Sequence, residues 1–108
     1  MSVFDKYLLK KDNLLKRRVE IDSSLYEQLE ELAEIYDASI NKLVNIAIIE
    51  LLKTENVKIY KRPNNEIADS HNFAIRETSY EELEKLKSKY GLSIYKLINI
   101  AIYNALNS

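Results

Sequence analysis

The feature that most restricts what this chain can fold into is an internal repeat. Residues 40–52 read INKLVNIAIIELL and residues 94–106 read IYKLINIAIYNAL. An offset of 54 residues aligns 17–52 with 71–106 without a gap, and 16 of those 36 positions are identical. The identities include Ile21 with Ile75, Tyr26 with Tyr80, Leu29 with Leu83, Ser39 with Ser93, and Lys42, Asn45 and Ile46 with Lys96, Asn99 and Ile100. A whole structural unit is therefore present twice, and any fold must be built from two similar halves. At 108 residues the chain has room for one small domain, so the two halves are expected to share one core.

Each half has the same internal order. Arg18-Val19-Glu20-Ile21-Asp22 alternates, with Val19 and Ile21 on one face of an extended strand and charges on the other. Asn72-Phe73-Ala74-Ile75-Arg76 repeats the pattern. So short a strand needs a partner, and its own copy is the obvious one. Ser24-x-x-Glu27 and Thr78-x-x-Glu81 fit the capping box that opens a helix. Leucine, alanine and tyrosine then recur at three- and four-residue spacing, which predicts an amphipathic first helix in each half. Asp37 and Gly91 suit the left-handed position that ends a helix, and Ser39 and Ser93 stand where a second helix would be N-capped. The quoted phrases form that second helix. They are apolar around most of their circumference, so they must be buried on several sides.

Strand, amphipathic helix, Gly91-Leu92-Ser93 turn and a nearly all-apolar helix beginning IYKLINIAI resemble the ribbon-helix-helix DNA-binding family. The resemblance covers residues 17–52 and 71–106 and occurs twice at one offset. It is similar in this to conjugative-transfer accessory proteins that carry tandem units on one polypeptide. The fold so implied is mainly α with short β: a two-stranded antiparallel ribbon and four main helices, with both halves forming an intrachain pseudo-dimer. The expected organisation is an arm or short helix over 1–16, a first unit over 17–52, a connector over 53–70 and a second unit over 71–108.

The resemblance implies a function and a set of residues. The ribbon would enter the DNA major groove and read bases through outward side chains, here Arg18, Glu20, Asp22, Asn72, Ala74 and Arg76. The starts of the second helices would hold phosphates through Ser39, Asn41 and Lys42 and through Ser93, Tyr95 and Lys96. The expected role is sequence-specific binding of double-stranded DNA, as a transcriptional regulator or repressor, or as a plasmid or mobile-element accessory factor in conjugation. The two unlike ribbon sequences predict an asymmetric DNA site. No cofactor and no small-molecule substrate are implied.

Charge both opposes and permits that role. The net charge is −1, and Glu20 and Asp22 occupy ribbon positions where basic or amide residues would suit phosphate-rich surroundings better. Residues 1–18 nevertheless carry six basic against two acidic residues, with Lys58, Lys61 and Arg62 adding a basic cluster in the connector. Residues 19–36 hold six acidic residues and no basic one, mostly on the first helix. The acidic ribbon positions motivate a second class of function, a protein-interaction or scaffolding module that keeps the fold without DNA.

Other classes find little support. With one glycine, Gly91, there is no glycine-rich phosphate loop. With one histidine, His71, no nucleophile triad or zinc-ligand pair is visible, and His71 reads as a polar residue of a connector. No catalytic or metal-binding residues are assigned, and the chain is not expected to be an enzyme. Absence of cysteine, of a secretory pattern at the start and of a membrane-length apolar run leads to a cytoplasmic expectation. In the regions outside the repeat, Phe4, Tyr7, Leu8, Leu14 and Leu15 are available to pack and Lys10, Lys11 and Lys16 to meet phosphates. Val57-Lys58-Ile59-Tyr60-Lys61 has strand composition without an assigned partner.

Overall fold

A computed structural model of the chain describes residues 13–58 and 60–108. The elements run β1 (Leu14–Asp22), α1 (Ser23–Tyr36), α2 (Ile40–Thr54), β2 (Ala68–Arg76), α3 (Glu77–Tyr90) and α4 (Ile94–Leu106). The protein is mainly helical, with one two-stranded antiparallel sheet and four helices among the described residues. None of these helices is long and apolar enough to cross a membrane. The expected arm residues Phe4, Tyr7, Leu8, Lys10 and Lys11 lie outside the described residues.

β1 and β2 pair in a register that sets Arg18 opposite Asn72. The repeat offset carries Arg18 onto Asn72, so the sheet is symmetric about this pair and each half meets its own copy there. Each strand starts earlier than its alternation suggests. Leu14, Leu15 and Lys16, expected in an N-terminal arm, are paired with Arg76, Ile75 and Ala74. His71, expected in a connector, lies within β2 opposite Val19. The connector is accordingly shortened to residues 55–67. Its Val57 and Tyr60 do not form a strand; they pack against the core.

The core has the composition the repeat demands. Val19, Ile21, Phe73 and Ile75 line the inner face of the sheet, Leu25, Leu29, Leu83 and Leu86 come from α1 and α3, and the apolar faces of α2 and α4 fill the centre. Burying each Val, Leu, Ile or Phe contributes roughly 1.5–3 kcal/mol, and only two helices apolar on several sides supply enough such surface in so short a chain.

Helix ends follow the sequence in part. Asp37 and Gly91 are left-handed, with φ of 50° and 65°, and close α1 and α3. Ser39 and Ser93 cap α2 and α4, their hydroxyls accepting from the backbone N–H of Lys42 (3.1 Å) and Lys96 (3.4 Å). The capping boxes are a correction. α1 starts at Ser23 on Asp22, and α3 at Glu77 on Arg76, neither N-cap side chain making a cap bond. The connector serves α1 instead: Ser23 N–H donates to the Ile67 carbonyl at 2.8 Å, and both the N–H and hydroxyl of Ser24 donate to Glu66 Oε1 at 2.9 Å. At α3 the Glu77 N–H donates to the Asn13 carbonyl at 2.8 Å, which is the repeat-equivalent bond.

Candidate nucleic-acid interface

Alternation fixes which side chains leave the sheet on its open face. With Val19, Ile21, Phe73 and Ile75 inward, Lys16, Arg18 and Glu20 of β1 and Ser70, Asn72 and Ala74 of β2 point away from the core. Register groups them into three cross-strand pairs, Lys16 with Ala74, Arg18 with Asn72 and Glu20 with Ser70. Arg18, Glu20, Asn72 and Ala74 are therefore brought together as the sequence predicts. Ser70 is an addition that sequence reasoning missed, and Lys16, expected in the arm as a phosphate contact, joins the open face through its place in β1.

Asp22 and Arg76 stand differently. Asp22 was expected to face outward, but it is only 5% exposed, because Arg62 of the connector closes over it with an ion pair of 3.0 Å. Burial pushes its carboxyl above the ordinary carboxylate range, with Glu66 adding to the rise and Arg62 opposing it. Arg76, the repeat equivalent, is exposed at the other end of the sheet, opposite Leu14.

The sheet is held in place by two asparagines that each half lends to the other. Asn99 of α4 donates from Nδ2 to the Glu20 carbonyl (2.9 Å), and its Oδ1 accepts from the Asp22 N–H (3.0 Å). Asn45 of α2 repeats this on the opposite strand, donating to the Ala74 carbonyl (2.9 Å) and accepting from the Arg76 N–H (3.3 Å). On each strand edge one carbonyl and one N–H that would otherwise be unpaired are thus satisfied by a helix of the other repeat. Their signal in the sequence is a polar residue recurring at the same place inside two otherwise apolar helices.

A second crossed pair steadies the inner face where the alternation fails. His71 stacks on Tyr26 with ring centres 3.7 Å apart and planes 4° from parallel. At the equivalent place in the other half the Arg17 guanidinium lies 4.9 Å from the centre of the Tyr80 ring.

Flanking the sheet are the starts of α2 and α4. Lys42 and Lys96 are exposed there, as is Tyr95. The Ser39 and Ser93 hydroxyls are engaged as caps. Asn41 was expected to meet phosphate, but its amide is committed to the sheet: Nδ2 donates to the Ala74 carbonyl (3.0 Å) and Oδ1 accepts from the Ala74 N–H (2.8 Å). The α4 side also carries a small pocket of about 150 Å³ lined by Asp22, Tyr60, Arg62, Tyr95, Lys96, Asn99 and Ile100.

Comparison of this chain with models of protein families, with curated proteins and with solved structures found no match.

Proposed function

We propose that this protein binds double-stranded DNA, laying the open face of the β1–β2 sheet in the major groove as two tandem ribbon-helix-helix units. The observation that carries the reading is the pairing of Arg18 with its own repeat equivalent Asn72, which sets six outward side chains in two parallel rows about one centre. A two-stranded ribbon of this kind has the width the major groove admits. Arg18 can donate two hydrogen bonds to guanine and Asn72 can bond adenine from both ends of its amide. Lys42 and Lys96, at helix starts whose free amides favour an anion, supply phosphate contacts on either side. A transcriptional regulator or a mobile-element accessory factor are the roles such binding serves.

The test is a titration of mixed-sequence duplex, followed by selection of preferred duplexes, with the wild-type chain and with Arg18→Ala and Asn72→Ala. Both substitutions are expected to weaken preference among sequences while leaving binding to bulk DNA in place. Absence of duplex binding at low salt would favour the scaffolding role suggested by the acidic ribbon residues.

A further inference from the structure

The two ends of the open face are chemically opposite. The symmetry centred on Arg18 and Asn72 exchanges Lys16 with Ser70 and Glu20 with Ala74. One end therefore presents Lys16 beside Ala74, and the other presents Glu20 beside Ser70. Charges behind these pairs extend the contrast. Arg76 lies exposed at the first end, whereas Asp69 lies at the second, where Arg62 is spent on the buried Asp22. All three symmetry-related pairs are unlike, so no half turn of the protein restores its face.

We infer that the sheet reads a non-palindromic duplex in a single orientation, with Lys16 and Ala74 over guanine and thymine at one end and Glu20 and Ser70 over a base bearing an exocyclic amine at the other. This rests on the duplex-binding reading above. In the major groove guanine offers two acceptors that suit the Lys16 ammonium, and the thymine methyl suits the Ala74 side chain. A carboxylate only accepts, so Glu20 selects the amine of cytosine or adenine and disfavours a guanine or thymine edge. Turning the protein round would set Ser70 over the acceptors meant for Lys16 and Glu20 over the thymine meant for Ala74, whose O4 only accepts. Each mismatch of this type costs about tenfold in affinity, which is enough to fix orientation when both ends mismatch together.

The experiment selects bound duplexes from a randomised library with the full wild-type chain, and again with Lys16→Ala and Glu20→Gln, both at exposed positions. The expected wild-type motif differs from its own reverse complement. Lys16→Ala should lose about tenfold discrimination at one end of that motif only, and Glu20→Gln at the other end only. A motif equal to its reverse complement, or two variants that relax the same positions, would overturn the directional reading. Salt-dependent duplex binding with no base preference overturns it too, while leaving duplex binding intact. Failure to bind any duplex at low salt would instead remove the reading on which it rests.

Discussion

Arg18 and Asn72 face each other across the sheet although each occupies the same place in its own repeat. The pairing joins the two halves of one chain at equivalent positions while leaving each half free to differ from the other. Divergence has gone furthest on the surface. In the core the halves remain close, which is where their differences in environment can be measured.

Ile46 and Ile100 are the same residue at the same repeat position, yet Ile46 is 52% exposed and Ile100 only 2%. The connector causes the difference: Tyr60 lines the pocket beside Ile100 and stacks on Tyr103 at 4.7 Å. Ile100→Ala should destabilise the protein by about 2–5 kcal/mol and Ile46→Ala by less than about 1 kcal/mol. Urea denaturation with a shared slope reads the two values directly.

The crossed asparagines should also be unequal. Asn99 is 4% exposed and is the side-chain partner of both the Glu20 carbonyl and the Asp22 N–H. Loss of Asn45 still leaves Asn41 on the Ala74 carbonyl. Asn99→Ala should cost about 2–4 kcal/mol and Asn45→Ala roughly half that or less, measured by thermal or urea unfolding.

Much of this arrangement was legible in the sequence. The repeat, the serine caps, the left-handed Asp37 and Gly91 and the apolar second helices all depend on residues close in the chain or on simple periodicity. Strand length was not legible, because the inward positions 17 and 71 carry Arg and His rather than aliphatic residues. Those side chains are accommodated by Tyr80 and Tyr26 of the opposite half, a contact that no local pattern reveals. The omission of Ser70 and the assignment of Lys16 to the arm follow directly from strands that run longer than the alternation suggests. The first capping box failed for a similar reason: Glu66, 42 residues away from Ser24, takes the place that Glu27 was expected to fill.

Asp22 should give the stability profile an unusual acid limb. Its carboxyl is raised above 3.8 by burial first, so the folded state holds this proton more tightly than the unfolded chain does. Its favourable contribution is complete below the unfolded value and is lost as pH rises through the raised one. Asp22→Asn should therefore be more stable than wild type at neutral pH, with the gap closing as pH falls through the raised value and closed once it is below 3.8. Glu55 has the opposite sign, since the hydrogen bonds from Lys89 and Tyr90 lower its carboxyl below 4.5. Its contribution is present above 4.5 and disappears as pH falls through the lowered value, so Glu55→Gln should matter at neutral pH and not in strong acid. Melting curves across the acid range separate the two residues.

Duplex binding is the claim on which the functional account stands, and its dependence on salt tests it most directly. A titration of mixed-sequence duplex at increasing potassium chloride should give affinity that falls linearly on logarithmic axes. Lys42→Ala and Lys96→Ala should each reduce that slope by about one. No binding at low salt, or a slope that neither substitution changes, would contradict the placement of DNA against this face.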